Sequence, residues 1–481
     1  MTINYEYVQV ELPYEVLHIE DLHFIAEINE HHTLTLEALI NEENAEEYLE
    51  ESVEGKEVKL IVGEKVIFVG KIIELQIYYR GQMANLKLKT ISYSYDLDIK
   101  KHKQAFFNLQ STYEDVARNV LSKYPHKAFK DNITNGKCIR DLLVQYKETD
   151  FEFLKRLATH FETVLVVDSL ASMGRIHFGV EPIYTDVELE SEFKDAKIRL
   201  DNFTKIKCVS KEELIEQDFI GWQVESKEYI PLISEFTYDG QKVIVAKVEM
   251  KKVKEEIIYA YELKFYKGIK TIYQINSKLK GISLEGIVKK RRNNEMQLHF
   301  CINDSYEDIK SNKWFQYGRE VSNFYVMPVL ESKVHVTFLS GDEKDTIVTN
   351  AVRTAKPGDK YYSKIAEHNN KSYSTVDGQE LLITPEMLQF AEDDGKSIQM
   401  MLNQNGSISI TGKNISIHAG SDMVIGTAAP YDSKTNPLKP TSISISAKNK
   451  VTITRASNGI NSAHSMQLQE ENHISGIVRM L

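Results

Sequence analysis

The sequence predicts a mainly β fold with a small α/β part. Three observations predict it. Short apolar runs of strand length recur through residues 1 to about 100; a helical period appears only between 110 and 162; and the last hundred residues repeat a short beat. In that beat, Ser407-Ile408-Ser409-Ile410 is followed seven residues on by Asn414-Ile415-Ser416-Ile417. Later, Ser442-Ile443-Ser444-Ile445 is followed by Val451-Thr452-Ile453-Thr454. Each unit sets two β-branched apolar residues around one small polar residue, which is a short strand with one apolar face. Such a face is not buried by its own strand. Stacked steps, or several chains wound on one axis, bury it, so the tail predicts an oligomeric β-helical rod. Ile408, Ile410, Ile415, Ile417, Ile443, Ile445, Val451 and Ile453 are its expected core, by period-2 geometry.

From the N-terminus, Glu57 to Val62 and Val66 to Gly70 read as two strands around the turn Gly63-Glu64, and Asn85 to Lys89 as another. A further alternation runs through Tyr93, Tyr95 and Leu97, and Asn41 to Glu54 is helical in character. Residues 1–100 therefore predict a first β-barrel. In 101–169, Ser111-Thr112-Tyr113-Glu114 has the pattern of a capping box before Val116, Ala117, Val120 and Leu121. A second helix is expected from Asp150 to about His160, with Phe151, Leu154, Leu157, Ala158 and Phe161 as its apolar stripe. Arg140 to Tyr146 and Phe161 to Val167 read as strands beside the helices.

Residues 170–278 return to strand patterning and predict a second barrel. In 279–355, Val334, Val336 and Phe338 alternate with polar neighbours, Gly341-Asp342 turns, and Thr346 to Val352 returns, which suits a five-stranded OB-like barrel. Polar residues with Pro357 and Gly358 make 356–376 a linker. The rod then occupies 377–481, opening with Glu380 to Thr384 and Met387 to Phe390. Pro430, Pro437 and Pro440 do not pair in a central ladder, so 427–440 is expected to loop out.

Composition bounds the function. The chain has 481 residues, 42% hydrophobic and 27% charged, with a net charge of −11. That is an ordinary globular composition, long enough for three or four domains. The acidity argues against broad nucleic-acid binding, which needs an excess of Lys and Arg. There is no run of about 18 apolar residues for a membrane helix. The start, Met1-Thr2-Ile3-Asn4-Tyr5-Glu6, lacks a secretory signal, so the chain is expected to fold in the cytoplasm. Cys138, Cys208 and Cys301 fit neither a disulfide framework nor a zinc spacing.

The order of parts resembles the hub-spike proteins of contractile injection machines: the VgrG proteins of type VI secretion, phage late-control D proteins and the spikes of phage-tail-like bacteriocins. The most specific match is the family pattern Q-Y-x-E-[ST]-D-x-x-F-x-x-R-L, met here by Gln145, Tyr146, Glu148, Thr149, Asp150, Phe153, Arg156 and Leu157. Phe106-Phe107-Asn108-Leu109-Gln110 after Lys100, Lys101 and Lys103 is a second match, and Asp393-Asp394-Gly395 with Asn405-Gly406-Ser407-Ile408 a third. Pro328 to Asp342 is similar to the family's OB stretch, except that Glu331 or Ser332 stands where the family has Gly. The resemblance implies a homotrimer whose six barrels form a pseudo-hexameric ring under a hexameric tail-tube protein. It further implies baseplate proteins around the ring and a trimeric spike that punctures the target cell envelope. The particle would be a phage tail, an R-type bacteriocin or a type VI-like system. The apolar C-terminus, Ile474 to Leu481, suits capping of the rod or docking of a tip protein or effector.

No catalytic, cofactor or metal site is expected. His418, His464 and His473 form no closely spaced pair, and His31-His32 sits in the first barrel. Glu392-Asp393-Asp394 and Asp342-Glu343 lie at turns beside Gly, where acidic residues bond the backbone. Lys289-Lys290-Arg291-Arg292 precedes Asn293-Asn294 and reads as a hairpin tip. Two rival readings are a tail-associated cell-wall hydrolase and a glycan-binding β-helical adhesin. The second needs exposed aromatic grooves, and residues 395–481 hold one aromatic, Tyr431.

Overall fold

Alternating apolar residues build most of the first unit in the computed structural model of the chain. The model describes residues 2–5, 8–124, 128–170, 174–187, 189, 193–210, 212–254, 256–306, 308, 310–318, 326–352, 357, 367–375, 377–392, 398–418, 450–455 and 464–469. Two units result, Met1–Thr354 and Ala355–Leu481.

The first unit begins with β1 (Thr2–Tyr5), β2 (Val8–Glu11), β3 (His18–Glu27) and β4 (Thr33–Ile40). A short helix, α1 (Ala45–Glu50), leads to β5 (Glu57–Val62), β6 (Lys65–Arg80) and β7 (Met83–Ser92). In β4, Leu34, Leu36, Ala38 and Ile40 are buried and the residues between them half-buried, the signature of a strand with one face in a core. Tyr93, Tyr95 and Leu97 alternate in sequence but lie in a 3-10 helix, Tyr93–Asp98. Its period of three buries Ser94 and Leu97 together, and Leu97 joins the core beneath the helices.

The α/β part comprises β8 (Lys101–Phe106), α2 (Tyr113–Leu121), β9 (Ala128–Asp131), β10 (Leu143–Thr149), α3 (Asp150–Ala158), β11 (Leu165–Asp168) and β12 (Arg175–Phe178). The cap of α2 sits one residue later than the sequence pattern suggests. Thr112 Oγ1 accepts from the Asp115 amide at 3.0 Å, and the Thr112 amide donates to Asp115 Oδ2 at 2.8 Å. Val116, Val120, Leu154 and Leu157 pack against Leu165 and Ile176 in one core.

The chain then returns to the first sheet with β13 (Ile183–Tyr184), β14 (Phe193–Ile198), α4 (Leu200–Lys207), β15 (Ile220–Ser226), β16 (Ser234–Tyr238), β17 (Gln241–Val253) and β18 (Glu256–Lys264). The sheet runs β1-β2-β5-β6-β7-β4-β3-β17-β18-β15-β14, with β16 also on β17 and β13 on β16. β3 and β17 are antiparallel neighbours, with Phe24 opposite Met250 and Ala26 opposite Val248. Residues 1–100 and 170–278 thus share one sheet, and one core joins Phe24, Leu36 and Phe68 to Val248, Met250 and Tyr261.

A five-stranded sheet ends the unit: β19 (Ser283–Arg292), β20 (Glu295–Phe300), β21 (Phe315–Gln316), β22 (Lys333–Phe338) and β23 (Thr346–Val352), in the order β21-β20-β19-β22-β23. Val334, Val336 and Phe338 are fully buried, as their alternation predicts.

The second unit holds an antiparallel meander of β24 (Lys371–Ser374), β25 (Glu380–Ile383), β26 (Met387–Glu392), β27 (Ile398–Asn403) and β28 (Ile408–Thr411). β24 falls within the stretch read as linker. A hairpin follows, β29 (Lys450–Arg455) with β30 (His464–Gln469), placing Val451 opposite Leu468 and Ile453 opposite Met466. The looped-out stretch 427–440, Ile443, Ile445, His473 and the C-terminal residues 470–481 lie outside the described residues. The molecule is mainly β with a small α/β part.

Candidate functional site

The motif from Gln145 to Leu157 forms a buried joint. β10 pairs antiparallel with β8, with Leu143 opposite Phe106 and Gln145 opposite Gln104, until a bulge at Lys147, whose φ is 53°. A bulge inserts one unpaired residue and re-aims those that follow. Before it, Val144 and Tyr146 face the core of the five-stranded sheet, while Leu143 faces the core under the helices. After it, Thr149 caps α3: its hydroxyl accepts from the Glu152 amide at 3.0 Å, and its amide donates to Glu152 Oε2 at 3.0 Å.

Every motif residue is buried. Gln145 Nε2 donates to Asp150 Oδ1 at 2.7 Å, and Asp150 also accepts from the Tyr124 hydroxyl at 2.7 Å. Burial and then the bond to Asp150 push the Tyr124 pKa up. Phe153 stacks on Phe106 with ring centroids 5.8 Å apart, and Leu157 lies in the same core.

Arg156 is the centre of the joint. Its Nε and Nη2 reach the two Glu148 oxygens at 2.8 and 2.9 Å, a bidentate pair. Nη1 donates to Glu343 Oε1 at 2.8 Å, and Nη2 also to the Val144 carbonyl at 3.0 Å. Burial works against the Arg156 charge, but the Glu343 and Glu148 carboxylates more than offset it and raise its pKa. Burial raises the Glu148 pKa, with Arg156 opposing. Glu343 lies on the turn between β22 and β23, so one guanidinium ties α3 and β10 to the five-stranded sheet. Asp342 and Glu343 lie at the turn beside Gly341 as their pattern predicts, and Asp342 bonds the Lys344 amide at 3.1 Å, but Glu343 is also 1% exposed and ion-paired with Arg156.

The same seam is stitched elsewhere. The Asn303 side chain bonds both the amide and carbonyl of Ala105 at 2.8 Å, and Asn276 Nδ2 donates to the Tyr146 carbonyl at 3.0 Å. These bonds hold β8 and β10 against the five-stranded sheet and the residues leading into it.

The tail isoleucines stand apart. Ile408 and Ile410 lie in β28 opposite Leu402 and Met400, and Ile415 and Ile417 follow it outside any strand. All four are exposed, by 66, 50, 53 and 66%. Val451 and Ile453 occupy β29.

The remaining candidates have local roles. Lys289 pairs with Glu331 at 2.7 Å, Lys290 with Asp308, and Arg292 with Glu295 at 2.8 Å, while Arg291 donates to the Pro328 carbonyl at 3.3 Å, so the basic run is held by local partners. Glu331 holds φ 63°, which explains why glycine suits that position. His32 Nδ1 bonds Ser169 at 2.8 Å, and His31 packs against Phe151 with centroids 4.0 Å apart and the rings tilted by 37°. Among the described residues no group of three His, Cys, Asp or Glu is placed to hold a metal, and no helix is long and apolar enough to cross a membrane.

No family model and no curated protein matches the sequence. Solved structures do. The E. coli c3393 protein, a component of the type VI secretion system described as similar to the T4 bacteriophage tail proteins gp27 and gp5, superposes with a TM-score of 0.53 at 10% identity. The match covers 72% of this chain and 99% of that one. This chain has a VgrG-like hub-spike fold. A chain of the lidded Francisella PdpA-VgrG complex matches the hub-spike fold over 85% of this chain and 80% of its own, with a TM-score of 0.54 at 9% identity. The half-lidded form of that complex matches at 0.50 and 9%, over 84% and 87%.

Proposed function

We propose that three copies of this chain form the central hub and membrane-puncturing spike at the tip of the tube in a contractile injection apparatus. The hub-spike fold supports the hub. The observation that carries the spike is the exposure of Ile408, Ile410, Ile415 and Ile417 on a single chain. Burying each contributes about 1.5–3 kcal/mol, and three tails wound on one axis bury all of them at once.

On this reading residues 1–100 and 170–278 supply two barrels of a six-barrel ring beneath a hexameric tail-tube protein. Residues 101–169 and 279–355 carry thrust downward across the Arg156 joint, which Gln145, Tyr146, Glu148, Asp150, Phe153 and Leu157 build. Residues 377–481 form the β-helical spike, with 427–440 looped out and Ile443, Ile445, Val451 and Ile453 continuing its core. Baseplate proteins surround the ring, a tip protein or effector docks at the C-terminus, and the target is a cell envelope. The chain performs no reaction and uses no cofactor; it is made in the cytoplasm and assembled into the particle. Immunogold labelling of a tagged chain in purified contractile particles tests this. Gold is expected at the pointed end of the tube, and gold along the sheath or absent from the particle contradicts it.

A further inference from the structure

The first sheet contains one motif twice. β3, β4, β5, β6 and β7 lie in the spatial order β5-β6-β7-β4-β3, and β14 to β18 lie in the order β16-β17-β18-β15-β14. The register around one bulge agrees between the copies, although β5 and β3 carry further bulges that β16 and β14 lack. β6 is bulged against β7 between Ile72 and Glu74, and β17 against β18 between Val245 and Lys247. Beyond each bulge the hairpins close with Arg80 opposite Met83 and Val253 opposite Glu256. Before it, β5 pairs with β6 as far as Lys71, and β16 with β17 as far as the equivalent Ile244.

One relation occurs only once. Past its bulge, β17 takes β3 as a second partner, pairing Lys247 with Glu27, Val248 with Ala26, Glu249 with Ile25, Met250 with Phe24 and Lys251 with His23. The equivalent stretch of β6, from Glu74 on, has β7 on one side and no strand on the other among the described residues. The equivalent of β3 is β14, which has β15 on one side and likewise an open edge among the described residues. An open strand edge presents unpaired amides and carbonyls to another chain.

We infer that β14 of one copy pairs antiparallel with the 74–78 stretch of β6 in the next copy, repeating between chains the seam that β3 and β17 make within one. The inference rests on the trimer proposed above and names its ring contact. Equivalence fixes the register through β15 and β18, where Gln223 faces both Asp195 and Glu262, as Thr35 faces both His23 and Lys89. Carried over, Ile198 meets Leu75, Lys197 meets Gln76, Ala196 meets Ile77 and Asp195 meets Tyr78, and Arg199, the residue between β14 and α4, meets Glu74. The chemistry fits this register. Within the chain, Lys247 lies 3.9 Å from Glu27; between chains the same site sets Arg199 against Glu74, with the signs exchanged. The apolar pairs also correspond. Ala26, Phe24, Val248 and Met250 are buried in the internal seam, whereas Ile198 is 45% exposed and Leu75 and Ile77 are half-buried at the open edges. A head-to-tail contact of this kind gives a ring when its rotation closes, as the proposed trimer requires.

Disulfide trapping in the full chain tests it, with Cys138, Cys208 and Cys301 replaced by Ser. Two matched pairs, Ile198→Cys with Leu75→Cys and Lys197→Cys with Gln76→Cys, are compared with an offset pair, Lys197→Cys with Leu75→Cys. Expected on oxidation is a three-chain band on a denaturing gel from a matched pair and far less from the offset pair. A trimer by mass whose chains separate on that gel in both matched pairs overturns the seam and leaves the trimer standing. A monomer by mass overturns both. In an independent arm, Glu74→Arg or Arg199→Glu alone weakens assembly about fivefold per edge, and the double exchange restores it; no recovery in the double contradicts the register.

Discussion

Arg156 Nη1 donates to Glu343 Oε1 at 2.8 Å across 187 residues of sequence. Both side chains are almost wholly buried, and Glu148 holds the other edge of the same guanidinium. Two carboxylates on one cation leave no spare positive charge, so the arrangement is intolerant of losing the arginine.

Arg156→Ala strands both carboxylates in the interior, and breaking such a buried pair costs about 3–5 kcal/mol. Glu343→Gln keeps an acceptor for Nη1 and relieves the excess negative charge, so its cost is expected below about 1.5 kcal/mol. Denaturant midpoints of the two variants check this. A loss in Glu343→Gln as large as that in Arg156→Ala would contradict the view that stranded carboxylates set the cost.

Two buried histidines make stability depend on pH. Burial, then the charges of Arg156 and Lys344, lower the His160 pKa to about 3; burial, then His31, lowers that of His32 to about 4. Both are held neutral in the fold and gain protons in the unfolded chain near pH 6.5. Their contribution is therefore complete above pH 6.5 and is lost as pH falls, from 6.5 to about 4 for His32 and to about 3 for His160. The slope approaches about 1.4 kcal/mol per pH unit for each. Glu148, raised by burial, acts in the opposite sense at acid pH. The urea midpoint is expected to fall between pH 7.5 and 5 in the wild type, and to fall by about half as much in His160→Phe, where His32 still contributes. An unchanged slope in that variant would remove His160 from the account.

Glu331 occupies the left-handed region at φ 63°. Glycine adopts that region freely, whereas a Cβ there costs about 1–2 kcal/mol. Glu331→Ala and Glu331→Gly lose the same pairing with Lys289, so the comparison isolates the backbone. The glycine variant should be more stable by about 1 kcal/mol in thermal unfolding; an alanine variant as stable would contradict the assigned conformation.

Ile408→Asp with Ile410→Asp should leave the single chain folded, because both side chains are already exposed on it. Assembly should suffer, since each isoleucine lost from the spike removes about 1.5–3 kcal/mol per chain. Sedimentation is expected to show the double variant dissociating at concentrations where the wild type is whole, with unchanged far-ultraviolet circular dichroism.

Local patterns made much of this molecule legible. The alternation of Val334, Val336 and Phe338, and the helical stripe of Leu154 and Leu157, sit where one-face burial requires. Local ambiguity misplaced other features. The α2 cap is Thr112 with Asp115, one residue beyond Ser111 and Glu114, because adjacent hydroxyl and acidic residues offer the same spacing twice. Tyr93 to Leu97 alternates like a strand, but a short 3-10 helix satisfies the same residues. The bond from Arg156 to Glu343 is not legible locally at all, since nothing near either residue records the other. The duplicated sheet is hidden for a related reason: pairing geometry repeats while side chains do not, as Glu74 and Lys247 at one equivalent position show.

The mass of the purified chain in solution tests the central claim most directly. Three interwound copies predict a particle of three times 55.3 kDa across micromolar dilution. A folded species of 55.3 kDa under the same conditions would contradict the hub-spike assembly.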